Sequence, residues 1–169
     1  MKLNNIRLPA LEEMCDKPLR VAAFCKTAPE SGTWLQEVYY RTLISNYPIW
    51  TFFGCYGGQH DSEQTEHCLG GLPQMLAACK CEKIDLIVTK SPSTLKRNIV
   101  DCLHLIRELK ELNPPVGIYF EENGLYTLSS ISDVYLKAFL KFAEQESINK
   151  GNIVECNASL DANIPPSDS

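Results

Sequence analysis

The sequence predicts an α/β fold: one three-layer domain whose mainly parallel sheet, of four strands or slightly more, is flanked by helices and followed by a long C-terminal helix. Three observations carry this expectation. Short apolar runs alternate with longer segments whose apolar residues recur at helical spacing, the pattern of a sheet built from strand-helix-strand units. One run, KIDLIVTK (83–90), is largely apolar without alternation, as a strand covered on both faces requires. Two of the helical patterns are closed by proline, at Pro48 and at Pro114-Pro115, where a helix cannot continue.

Taken in order, LRVAAF (19–24) is a short, partly β-branched run and reads as the first strand. TWLQEVYYRTLISNY (33–47) sets Leu35, Val38, Tyr39, Leu43 and Ile44 at helical spacing, so these five are expected to face the core. IWTFFGCY (49–56), rich in aromatics, is the second strand, and GGQHDSEQTEHCLGG (57–71) is a long polar loop bracketed by glycines. LPQMLAACKCE (72–82) gathers Leu72, Met75, Leu76 and Cys79 on one helical face. After the third strand, NIVDCLHLIRELKEL (98–112) is a strongly amphipathic helix with Ile99, Cys102, Leu103, Ile106 and Leu109 inward. VGIYFE (116–121) supplies a fourth strand. SDVYLKAFLKFAEQESINK (132–150) is a final helix with Ser132 as its cap and Val134, Leu136, Phe139, Leu140 and Phe142 along one broad side. The expected organisation is an N-terminal extension (1–18), a single domain (19–150) and a flexible tail (151–169) rich in Asn, Pro, Asp and Ser.

Composition narrows the function. At 169 residues, 44% hydrophobic and 22% charged, the chain has the make-up of a globular domain, and no uninterrupted apolar stretch is long enough to span a bilayer. The first 20 residues lack the apolar core of a secretory signal, so a cytoplasmic location is expected. A net charge of −5 argues against a chain that binds nucleic acid unaided, because such binding draws its affinity from cations neutralising phosphates. Eight cysteines, without a C-x-x-C pair, read as reduced thiols. Cys55, His60, His67, Cys68, Cys79 and Cys81 have no zinc-ligand spacing, so neither a metal nor a cofactor is expected. The three histidines have no neighbours that would make a catalytic triad.

In parallel α/β sheets, sites gather at the carboxyl ends of strands. Three stretches are expected to meet there: residues 25–31, the loop after the second strand, and TKSPSTLKRN (89–98). The ordered set VAAFCKTA, WTFFGCYGG, LPQMLAACKCEKIDLIVTKSPSTLKRNIVDCLHLIRELKEL, VGIYFEENGLYTLSS and LKFAEQES resembles the catalytic domain of serine recombinases, the resolvase/invertase family, most closely its large-integrase branch on mobile elements. The resemblance covers about residues 20–148. It implies a resolvase-like fold and a reaction in which a serine attacks a DNA phosphodiester, forms a phosphoserine link and rejoins strands within a tetramer. Several arginines surround the phosphate in that chemistry, because cations aimed at developing charge stabilise the transition state.

Carried over residue by residue, the resemblance puts the family's first-strand motif on Phe24, Cys25, Lys26, Thr27 and Ala28. The nucleophile position is then the methyl group of Ala28, and Lys26 stands for an arginine without its planar fork. The segment that follows is about five residues shorter than the family's loop. The second-strand acid falls on Gly58 and the arginine ahead of the next helix on Leu69. The third-strand motif falls on Ser93, Thr94, Leu95, Lys96, Arg97 and Asn98, with Thr94 in place of one arginine and Arg97 retained. Arg97 reads equally as a solvated surface charge. The family's DNA-binding module has no counterpart in residues 151–169, so DNA binding by this chain alone is expected to be weak or absent.

Three functional expectations follow. One is a catalytically degenerate recombinase domain that pairs with itself or with a full-length serine recombinase as a modulator. Another is an active recombinase using replacement residues such as Cys25, Thr27 or Ser31, or residues supplied in trans. The last is a non-functional fragment of a mobile element.

Overall fold

The computed structural model describes residues 16–26, 32–57 and 68–138, with 141, 145 and 148. Five strands form one sheet in the order β2-β1-β3-β4-β5. These are β1 (Arg20–Cys25), β2 (Thr51–Gly57), β3 (Leu86–Thr89), β4 (Gly117–Phe120) and the two-residue β5 (Leu125–Tyr126). The first four are mutually parallel, and β5 turns back antiparallel on β4. The two-residue β5 makes the sheet slightly larger than four strands, within the expectation, although no segment is assigned to it from sequence. It is too short for a period to show.

Alternation across the central strands separates two cores. Ala22, Phe24, Ile87, Ile118 and Phe120 face one side, where α2 (Leu72–Lys80), the one-turn α3 (Pro92–Leu95) and α4 (Ile99–Lys110) cover them. Val21, Ala23, Leu86, Val88 and Tyr119 face the other, under α1 (Gly32–Ile44). The three layers expected from the sequence are therefore present. The first core is largely aliphatic, and α4 contributes Cys102, Leu103, Leu105, Ile106 and Leu109 to it, while Ile99 is only half-buried. Asn98 caps that helix, accepting from the Val100 amide at 2.8 Å. The second core is aromatic, with Tyr47 stacked on Trp50 at 4.0 Å between ring centres.

One expectation needs correction. In α1 the inward residues are Tyr40, Leu43 and Ile44, continued by Tyr47, whereas Leu35, Val38 and Tyr39 are exposed. Only Leu43 and Ile44 of the five expected residues face the core. Leu35 and Tyr39 instead border a cavity together with Phe24, Cys25 and Lys26 at the carboxyl end of β1. At the start of the final helix, Ser132 is fully buried and donates its hydroxyl to the Thr127 carbonyl at 2.7 Å, tying the helix start to the segment after β5. Of the apolar side expected on that helix, Val134 is exposed and Leu136 half-buried, and Phe139, Leu140 and Phe142 lie outside the described residues.

Candidate functional site

The order 2-1-3-4-5 makes the chain leave β1 toward one edge and β3 toward the other, opening a crevice at their carboxyl ends. A cavity of about 790 Å³ occupies it, lined from β1 by Phe24, Cys25 and Lys26, from α1 by Leu35, Gln36, Tyr39 and Tyr40, from the β3–α3 turn by Lys90, Ser91, Ser93 and Thr94, and after β4 by Glu121 and Glu122.

Backbone pairing fixes these walls. Thr89, buried in the last position of β3, donates its hydroxyl to the Phe24 carbonyl at 2.9 Å and holds the ends of β1 and β3 together. The ladder runs past β4 through the amides of Glu121 and Glu122, which donate to the carbonyls of Thr89 and Lys90 at 3.0 and 2.9 Å. Lys90 and Glu122 therefore lie side by side, and their charged ends approach to 3.6 Å. Both are well exposed, so the pair contributes little stability. The Lys26 carbonyl accepts from Gln36 Nε2 at 3.2 Å, anchoring the end of β1 to α1.

Tyr39 Oη donates to Glu121 Oε2 at 2.7 Å across 82 residues of sequence. Burial, then this bond and the nearby carboxylate charge, push the Tyr39 phenol up to about 12, and burial beside the same carboxylate raises Tyr40 as well. Both remain neutral donors at physiological pH. Across the turn, Ser91 Oγ shares hydrogen bonds with Ser93 Oγ at 2.9 Å and Thr94 Oγ1 at 3.2 Å, forming a patch of three hydroxyls. Cys25 is hydrogen-bonded to Cys55 and buried, and both effects raise its pKa, the bond more than the burial. It is held as a neutral thiol, the unreactive form.

The residues singled out by sequence divide accordingly. Lys26, Ser93 and Thr94 meet in the cavity. Arg97 is exposed, immediately before the cap of α4, and does not line the cavity. Leu69 packs into the first core: its amide donates to the Cys55 carbonyl at 2.8 Å, and its side chain lies so close over Gly54 that a Cβ there would stand 2.5 Å from Leu69 Cδ1. Ala28 and Gly58 lie outside the described residues, as do His60 and His67. Sequence reasoning missed Tyr39, Tyr40, Glu121 and Glu122, and it placed the stretch that contains Lys90 at the site without singling that residue out. For the two glutamates the signal was available, since two carboxylates directly follow an apolar strand. For Tyr39 it was masked, because a tyrosine at helical spacing reads as core. Among the described residues, no cluster of His, Cys, Asp or Glu could hold a metal ion.

The model of the resolvase N-terminal domain family matches residues 62–154, more than half of the chain. The chain belongs to the serine recombinases. Its fold is also that of two solved structures. The N-terminal catalytic domain of TP901-1 integrase superposes with a TM-score of 0.53 at 16% identity, over 76% of this chain and 96% of that one. A resolvase family site-specific recombinase from Streptococcus pneumoniae superposes with a TM-score of 0.56 at 16% identity, over 84% and 98%. No curated protein sequence matches the chain. The domain is thus a serine recombinase catalytic domain in fold and family, with the crevice between β1 and β3 at its centre. No described helix is long and apolar enough to cross a membrane.

Proposed function

We propose that this recombinase domain has lost strand-transfer chemistry and is kept for association, pairing with itself or with an intact serine recombinase and modulating it. The observation that carries this reading is the fate of the cations. Where the family resemblance places arginines around a phosphate, the cavity presents Lys26 and Thr94, while Leu69 packs half-buried against the first core and Arg97 lies outside the cavity wall. A phosphoryl transition state needs several fixed donors, and each one lost costs on the order of 10²-fold or more in rate. With Ala28 at the nucleophile position, the phosphoserine link has no oxygen from which to form. Cys25, the nearest alternative, is a buried neutral thiol. Exposed Ile131, Val134 and Tyr135 at the start of the final helix offer apolar surface for pairing.

The test is a suicide DNA substrate carrying the crossover site of a co-resident intact recombinase. The intact enzyme is expected to become covalently linked and this chain not, while recombination by the intact enzyme changes as this chain is added in excess. A covalent adduct mapped to Ser91, Ser93 or Cys25 would overturn the loss of chemistry. Unchanged recombination at excess chain would overturn the modulator role.

A further inference from the structure

The charged groups at the mouth are arranged in two poles. Lys26 extends from the end of β1, Lys90 and the hydroxyl patch around Ser91 and Ser93 follow β3, and Glu121 and Glu122 follow β4. Lys26 thus stands about two inter-strand spacings, roughly 10 Å, from the carboxylates, while Lys90 and the hydroxyls lie between them, one strand from β4, with Lys90 3.6 Å from Glu122. The cavity, at about 790 Å³, falls within the size of a small-molecule site and has apolar walls in Phe24 and Leu35. It also stands at the switch point of a 2-1-3-4-5 sheet, where open α/β folds place nucleotides, with a carboxylate available for sugar hydroxyls.

We infer that this cavity binds a free ribonucleoside monophosphate. The phosphate sits at the pole formed by Lys26, Lys90 and Ser93, and the ribose hydroxyls donate to the carboxylates of Glu121 and Glu122. Glu121 already accepts from Tyr39 and is bonded by Tyr40 as well, but a carboxylate offers about four acceptor positions, so it can take a further donor. The Lys90 to Glu122 pair, at 3.6 Å and solvent-exposed, separates easily to admit the ligand between them. A phosphodiester inside duplex DNA lacks the ribose hydroxyls that the carboxylate pole would accept, so the two poles together favour the free nucleotide over DNA.

This goes beyond the loss of recombination and can fail separately from it. An adduct on the suicide substrate would overturn that reading without touching nucleotide binding. An empty cavity would overturn this one and leave the pairing role standing.

The experiment is titration calorimetry on the full chain with adenosine, guanosine, cytidine and uridine monophosphates, their deoxy counterparts, inorganic phosphate and duplex DNA. At least one ribonucleotide is expected to bind saturably at one site, with the deoxy form and inorganic phosphate each weaker by about tenfold. Lys26→Glu and Lys90→Glu are expected to abolish binding, and both residues are exposed, so the fold should survive and circular dichroism checks it. Glu121→Gln should narrow the preference for ribose over deoxyribose while leaving phosphate binding in place. No saturable binding of any ribonucleotide up to about 5 mM would overturn the inference. So would equal binding of inorganic phosphate or the deoxy forms, or full displacement by duplex DNA.

Discussion

The two ends of the sheet are built from the same strands and behave oppositely. At the amino end, Arg20 grips Asp85 through Nε to Oδ2 at 2.9 Å and Nη2 to Oδ1 at 2.8 Å, and the Arg20 amide adds a third bond to Oδ2 at 2.8 Å. Beside this clamp, Tyr47 and Trp50 stack and close the aromatic core. Charge there meets charge in a fixed fork, and apolar rings are buried. At the carboxyl end the charges line an open cavity, one ion pair is loose at 3.6 Å, and Leu35 and Tyr39 face solvent. The lesson is that scaffold and site are held by separable groups. An α/β domain can lose the side chains at one end of its strands and keep the fold, because the stabilising contacts lie in the two cores and at the other end.

Substitutions should expose this asymmetry in graded steps. Trp50→Ala removes a buried ring from the closed end and should cost about 3–5 kcal/mol in chemical denaturation. A loss under about 1 kcal/mol would show the aromatic end to be no firmer than the mouth. Leu69→Arg introduces the cation that the family resemblance expects, and should destabilise the domain by roughly 2 kcal/mol and, on the proposed loss of chemistry, yield no DNA cleavage. The side chain now fills space over Gly54 within the first core, where an unpaired guanidinium is poorly tolerated. Recovery of DNA cleavage in that variant would show that Leu69 can swing into the site.

Smaller effects are expected at the mouth. Tyr39→Phe deletes the bond to Glu121 and should cost about 1 kcal/mol, because the phenol is partly solvated and water replaces part of what is lost. The smallest effect separates the two ends by pH. Arg20 holds the Asp85 carboxyl below its ordinary value, chiefly through the side-chain hydrogen bonds. That contribution is therefore fully present above the unfolded carboxyl value near pH 4 and disappears as pH falls through the lower folded value. It should amount to about 1 kcal/mol or less, since both side chains are partly solvated. Denaturation curves between pH 5 and about pH 2 should show Asp85→Asn lacking this part of the acid loss. An identical pH dependence in the variant would mean the clamp adds nothing.

Much of the fold was legible in the sequence because burial on both faces of a parallel sheet leaves long apolar runs. KIDLIVTK and VGIYFE contain β3 and β4, and α4 turns inward four of the five residues expected of it. Where reading failed, the cause was tertiary. The pattern in α1 could not show that only Tyr40, Leu43 and Ile44 turn into the core, while Leu35, Val38 and Tyr39 are exposed. The site divided in the same way. Sequence order together with the strand-end rule put Lys26, Ser93 and Thr94 near one another, as neighbouring parallel strands end together. It could not show that Leu69 belongs to the core, that Arg97 stands outside the cavity, or that Tyr39 reaches Glu121.

The sequence by itself determined the longer elements, their alternation and the family to which they belong, because periodicity and motif order are local properties of the chain. Only the tertiary structure decided which residues share the crevice and in what balance of charge. Those neighbours come from β1, α1, β3 and β4, and strand order, which no local pattern specifies, sets the distances between them.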